Sequence, residues 1–180
     1  VMVSTGLGAM NGILFKNAVA LEQTAKLDTV VLDKTGTLTR GEPQVVDIVT
    51  ADGIAENDVL RLVAAVERES EHPLAQAIIA AAEERGLTVT DVPQFEAVPG
   101  HGILATVDGK RLAVGNARLL EREQIELDGL LASSRRLAEQ GRTVVHVAQD
   151  GRAVALIAIA DAPRDTAHAA SAAAMSRWRS

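Results

Sequence analysis

The sequence predicts an α/β chain in two parts: the start of an open α/β unit, and an α+β domain, an antiparallel sheet flanked by helices, inserted into it. Three observations predict this. Thr29-Val30-Val31-Leu32 is a compact, largely β-branched run that ends in the polar, glycine-containing loop Asp33-Lys34-Thr35-Gly36-Thr37-Leu38-Thr39. From Gly41 onward, two segments of helical periodicity are followed by several short strand-like runs. Two Asp-Gly pairs, Asp108-Gly109 and Asp150-Gly151, each lie between such runs as tight-turn signals.

The chain has 180 residues, 24 acidic against 18 basic, and 47% apolar side chains, enough for a real core. A formal charge of -6 argues against a nucleic-acid partner, because phosphate-backbone affinity rests on clustered Lys and Arg. With no cysteine there is no disulfide framework, thiolate zinc site or Cys nucleophile. The opening run, residues 1–14, is broken by Gly6, Gly8, Asn11 and Gly12. A membrane span needs about 20 mostly apolar residues, so this run reads at most as the cytosolic end of one. A signal peptide is not expected, and the chain reads as a piece of a longer one.

Element by element, Leu14, Ala18, Leu21 and Ala25 predict a short amphipathic helix over 15–26, followed by a buried strand over 29–32. Residues 44–49 alternate as a strand. Residues 57–66 and 73–85 carry helical spacing, the second with Pro73 in its first turn and Gly86 just past its end. Strands are expected over 94–98, 102–107 and 110–114, the last two forming a hairpin through Asp108-Gly109. A helix over 127–140 stops at Gly141, and strands over 143–148 and 153–159 form a second hairpin. Asp161-Ala162-Pro163-Arg164 reads as a turn into a helix, and the ending Ser176-Arg177-Trp178-Arg179-Ser180 as a tail. The sheet begun at 30–32 cannot be completed by the residues after 160, since one strand and one helix leave faces and edges uncovered.

Asp33 carries the first chemistry. A carboxylate is ionised at pH 7 and can attack phosphorus without a general base, provided repulsion between the two anions is offset. Thr35 and Thr37 offer hydroxyl donors, and Gly36 lets the backbone approach a phosphate. An Asp/Thr/Gly turn that merely closes a strand is the bland alternative. The second constellation is Glu67 with Ser70-Glu71-His72-Pro73-Leu74, where Pro73 starts a helix and His72 stands at its cap. Gly100-His101-Gly102 and Gly115-Asn116 close strands nearby; alone, each reads as a bend.

The seven residues 33–39 match the phosphorylation motif of P-type ATPases at every position. The resemblance implies that Asp33 is the nucleophile phosphorylated by ATP, in a haloacid-dehalogenase-like Rossmannoid phosphorylation domain. It also implies that Lys34, Thr35 and Thr37 belong to the catalytic loop, with Asp33 and Thr35 in an incomplete magnesium site. Glu67, His72, Gly100, Gly102 and Asn116 resemble the ATP-binding set of the heavy-metal-transporting class. There the Glu and His lie beside the adenine, the glycines admit the backbone to the nucleotide, and the Asn completes the pocket. Other classes stack the base on aromatic rings, of which this chain has almost none, so polar contacts are expected to dominate. The flanks 12–17 and 21–22, together with 141–145 and 161–167, resemble the same pumps.

The implied organisation is the cytosolic end of a transmembrane helix with a linker helix over 1–25, and the N-terminal part of the phosphorylation domain over 26–42. The nucleotide-binding domain then spans 43–160, and an incomplete return to the phosphorylation domain spans 161–180. The implied cofactors are ATP and Mg2+. The implied partners are a metal cation bound elsewhere in the full pump and a membrane, with this segment on the cytoplasmic side. The resemblance favours monovalent copper over zinc, cadmium or cobalt. The family's later T-G-D loop, its phosphate-contacting lysine and its G-D-G-x-N-D loop do not occur in these residues, nor do its metal passage and dephosphorylating loop. Transport by this stretch alone is therefore excluded. Two alternatives differ in class. A soluble haloacid-dehalogenase-like phosphatase usually has a second Asp where Thr35 stands, and a stand-alone nucleotide-binding module would need no nucleophile. His101, His146 and His168 lack ligand-like spacing, and Glu121, Glu123 and Glu126 read as a solvated face.

Overall fold

A computed structural model describes residues 2–24, 26–68, 70, 72–89 and 95–176. Glu71, Gln94 and the tail 177–180, all named above, lie outside the described residues. Contacts divide the chain into one unit of Val1–Leu38 with Arg164–Ser180 and another of Thr39–Pro163.

The larger unit is built on a six-stranded sheet. Its strands are β1 (Thr39–Thr50), β2 (Phe95–Val98), β3 (Gly102–Val107), β4 (Lys110–Gly115), β5 (Thr143–Gln149) and β6 (Arg152–Pro163). Their spatial order is β1-β6-β5-β4-β3-β2, with every pairing antiparallel. Both Asp-Gly pairs form the expected hairpin turns: Asp108 and Gly109 have φ of 51° and 76°, Asp150 and Gly151 φ of 50° and 81°. Two successive positive φ values match the right-handed twist of the strands they join.

Strand alternation sorts the core into two layers. Val145 and Val147 with Ile157 and Ile159 face the helices α3 (Glu56–Glu67) and α4 (Pro73–Glu84), whose Leu60, Val63, Ile78 and Ala82 bury against them. On the other face, α5 (Ala117–Arg122) and α6 (Leu131–Glu139) bring Leu119, Leu120 and Leu137 against Ala113, Leu156 and Ala158.

Three departures have physical causes. The helix expected over 127–140 begins as a 3-10 turn, Asp128–Leu130, because Asp128 takes φ 40° and Gly129 follows it. Helix α5 was not expected; Asn116 caps it by accepting from Leu119 N at 3.2 Å. The turn expected at 161–164 is instead the end of β6. The Asp161 carboxylate accepts from the Thr39 hydroxyl and from the Gly41 and Glu42 amides, which carries the β1–β6 pairing out to Thr39 and Pro163. The expected domain edges at 42/43 and 160/161 thus fall inside β1 and β6. Pro43 is accommodated because β1 is an edge strand.

The smaller unit holds α1 (Met2–Met10), α2 (Ala18–Thr24) and α7 (Ala167–Ser176). Helix α2 starts later than the periodicity predicts because the Asn17 carboxamide oxygen accepts from Ala20 N at 2.8 Å and caps it there. Residues 29–32 form no strand, and Val31 is 90% exposed. Their composition suits a buried strand, yet no described segment of this unit pairs with them, and a strand exists only through its ladder. No described helix is long and apolar enough to cross a membrane.

Candidate nucleotide cleft and phosphorylation loop

In the smaller unit, Asp33 is exposed and precedes a single π-helical turn, Lys34–Leu38. Gly36 sits in that turn at φ 76° with open space where a Cβ would be, so only backbone occupies its solvent side. Arg164, returning from β6, donates from Nη2 to the Gly36 carbonyl at 3.1 Å and from its backbone amide to Leu38 O at 2.8 Å. The two ends of the unit are thus stitched at the loop. Lys34 and Thr37 are exposed beside Asp33. Among the described residues no group of three or more His, Cys, Asp or Glu could hold a metal ion.

In the larger unit, Glu67, His72, Gly100, Gly102 and Asn116 all line one cleft of about 570 Å³. That volume is of the size small-molecule sites use, about 300–1,000 Å³. The cleft lies where α3 ends, α4 begins, the β2–β3 turn passes and β4 and β5 meet, so five separate stretches of chain supply it.

His72 is exposed and caps α4: its Nδ1 accepts from Leu74 N at 3.1 Å, with Pro73 fixing the first helical φ. With Nδ1 an acceptor, the neutral ring carries its proton on Nε2, a donor left for a ligand. Glu67, in the last turn of α3, is half-buried. Burial raises the pKa of its carboxyl above 4.5, and a hydrogen bond from the Ser70 side chain opposes the rise. The Ser70 hydroxyl also accepts from His72 N at 3.3 Å, linking the two residues.

The glycines differ in what they do. Gly100 has φ 73° and faces open space, so its freedom serves the turn and leaves its backbone accessible. Gly102 has φ 148°, and an added Cβ would strike the Val114 carbonyl. Its requirement comes from β4 rather than from a ligand. Asn116 uses both ends of its carboxamide within the protein, donating from Nδ2 to Gly100 O at 2.9 Å and accepting from Leu119 N. It therefore holds the glycine turn in place.

Several cleft residues were not assigned to the site from the sequence, Gly115, His101, Ser70 and Phe95 among them. Gly115 pairs with Gly102 across the strands, and the signal was a glycine at a strand end opposite another. His101 donates from Nδ1 to Pro99 O at 2.8 Å and lies on the cleft wall. Ser70 had only its place between Glu67 and His72 to mark it. Phe95 also lines the cleft, 49% exposed, beside the polar groups expected to dominate. The lining is thus aliphatic or aromatic on its walls, with a few directed polar groups, an arrangement that suits a flat heteroaromatic ligand bearing hydrogen-bonding edges.

Residues 27–177 match the family of haloacid dehalogenase-like hydrolases. The chain is 45% identical over 170 residues to the copper-exporting P-type ATPase of Bacillus subtilis (strain 168), which covers 94% of this chain and 21% of that protein. Among solved structures it resembles a zinc-transporting PIB-type ATPase in the E2.Pi state, with a TM-score of 0.81 and 35% identity over 97% of this chain and 28% of that one. It also resembles the N-domain of HMA6, a copper-transporting P-type ATPase, with a TM-score of 0.56 and 30% identity over 66% of this chain and 99% of that domain. The chain spans about a fifth of the length of the curated relatives it matches.

Proposed function

This chain belongs to the haloacid dehalogenase-like hydrolases and, within them, to the heavy-metal P-type ATPases, and on that premise we propose that it is the ATP-binding and phosphorylation portion of a cation-translocating pump. The cleft of the larger unit takes ATP. Glu67 and the His72 Nε2 proton meet the edge of the base, the Gly100 and Gly102 backbone lies along the nucleotide, and Asn116 keeps that turn in register. A carboxylate oxygen of Asp33 attacks the γ-phosphorus, the bond to the bridging oxygen breaks, and ADP leaves with the electron pair; water later hydrolyses the aspartyl phosphate. Catalysis of this kind is mainly positioning and electrostatics. Lys34, Thr35 and Thr37 belong to the same catalytic loop, where the Thr35 and Thr37 hydroxyls help hold the phosphate once Asp33 has taken it. Asp33 and Thr35 would hold magnesium, which would offset the negative charge of the phosphates around the transferred group.

In the full-length pump, this portion stands on the cytoplasmic side of a cell membrane. Residues 1–25 lead in from a membrane helix, 26–42 and 161–180 belong to the phosphorylation domain, and 43–160 to the nucleotide-binding domain. The transported cation, for which copper is the first choice, binds elsewhere.

The observation that carries the reading is the convergence of Glu67, His72, Gly100, Gly102 and Asn116 on one cleft. Calorimetric titration of ATP into the chain, His72→Ala and Asp33→Ala tests it. Loss of binding only in His72→Ala supports the reading, whereas equal binding in all three, or none to the parent chain, overturns it. Because the later loops of the family are not in this sequence, little acid-stable phosphate should appear on Asp33. Labelling at the rate of an intact pump would refute that part.

A further inference from the structure

We propose that Phe95 is a further nucleotide-binding residue, the aromatic wall on which the purine stacks; the inference rests on the reading of the cleft as an ATP site.

Phe95 opens β2, an edge strand, and pairs with Ala105 of β3. Directly paired residues project from the same face of a sheet. Ala105 is 6% exposed and lies in the core cluster beneath α3 and α4, so Phe95 projects from that helix-bearing face. The helices cover Ala105, yet they leave Phe95 49% exposed. It is neither in a buried cluster nor among the described residues packed against one.

What Phe95 faces gives its exposure a use. It lines the same cleft as Glu67, His72 and Gly100. Apart from histidines, it is the one aromatic residue in the sequence of the 39–163 unit, since Phe15 and Trp178 lie outside it. Leaving a phenyl ring half in water at the mouth of a cleft forgoes burial that its large apolar surface would otherwise bring. A purine supplies that burial, because every base has a π-face while its edge remains free to meet Glu67 and His72. Base-on-aromatic stacking is sequence-tolerant and strong enough to matter without further hydrogen bonds. The site thus combines one ring with directed polar groups.

The experiment titrates ATP and inorganic tripolyphosphate into the chain and into Phe95→Ala, Phe95→Leu, Phe95→Trp and His72→Ala, each first matched to the parent by circular dichroism and thermal midpoint. Phe95→Ala should weaken ATP binding about tenfold, in the range stacking on one ring supplies, and leave tripolyphosphate binding unchanged. Phe95→Leu, still apolar but without a π-face, should weaken ATP to a similar degree. Phe95→Trp should retain affinity, with its indole fluorescence quenched by the nucleotide. If Phe95→Ala binds ATP as the parent does while His72→Ala fails, the aromatic wall is overturned and the nucleotide reading stands. Parent-like binding by Phe95→Leu overturns stacking in favour of simple apolar cover. Absence of ATP binding in the parent overturns both.

Discussion

Gly102 and Gly115 are partners across β3 and β4, and each occupies the space where the other's side chain would go. A Cβ on Gly102 would collide with the Val114 carbonyl and come within 2.6 Å of Gly115 Cα; one on Gly115 would collide with the His101 carbonyl and come within 2.8 Å of Gly102 Cα. Two strands therefore approach closely where they enter the cleft. Gly102→Ala and Gly115→Ala should each destabilise the fold by at least about 1–3 kcal/mol, the usual cost of overpacking. Gly100→Ala meets only the left-handed backbone penalty of about 1–2 kcal/mol. Urea midpoints across the three variants check this ranking. A Gly100→Ala loss as large as that at Gly102 would contradict it.

His72 has two separable tasks, capping α4 through Nδ1 and presenting Nε2 to the cleft. Asn at this position keeps a capping oxygen but cannot reach as far. His72→Asn should keep the parent's thermal midpoint and lose nucleotide binding. His72→Ala should lose binding and also about 0.5–2 kcal/mol of stability. Equal melting of the two variants would show that the cap contributes nothing.

Asp161 ties the start of β1 to the end of β6 by accepting from Thr39 Oγ1 and from the amides of Gly41 and Glu42. Hydrogen bonds to a charged acceptor contribute about 1.5–3 kcal/mol, and a buried donor left unpaired adds a penalty. Asp161→Ala should therefore speed hydrogen exchange of the Gly41 and Glu42 amides well beyond that of Ile157 at the sheet centre. Uniform acceleration across the sheet would instead indicate global destabilisation.

His146 is 5% exposed on β5, with Nε2 at 2.9 Å from the Ser134 hydroxyl of α6. Burial lowers its pKa below the ordinary 6.5, while backbone groups of Gly115 and Val144 oppose the shift. The unfolded chain thus takes up a proton that the folded chain refuses. The contribution of the neutral ring is complete above 6.5 and is lost as pH falls through the folded value, with a slope of at most about 1.4 kcal/mol per pH unit. Glu67 has the opposite sign: its raised pKa favours the fold below 4.5, and that advantage is lost as pH rises through the folded value. As pH falls below 6.5, the His146 contribution to stability of the parent should fall, and His146→Gln should flatten that fall; an unchanged slope would rule out His146 as its source.

Local chemistry was legible from the residues alone. Asp108-Gly109 and Asp150-Gly151 announced their hairpins because positive φ at two successive positions is a property of those residues. Pro73 and Gly86 bracketed α4 for similarly local reasons, and the seven-residue loop at Asp33 carried its family in its own letters. Helix α5 escaped notice because Asn116 was read as a ligand-facing residue, although an Asn before Ala117-Arg118-Leu119-Leu120 is also a cap signal. Long-range pairing could not be read in this way. Val30, Val31 and Leu32 have the composition of a buried strand, yet strand formation depends on a neighbour, and among the described residues none pairs with them. Tertiary structure alone brought Glu67 and His72 against the β2–β3 turn, assigned Gly102 to steric necessity and Asn116 to holding Gly100, and turned Phe95 into the cleft. Periodicity and turn chemistry act over a few residues, whereas a cleft is made where distant segments of the chain close on one another.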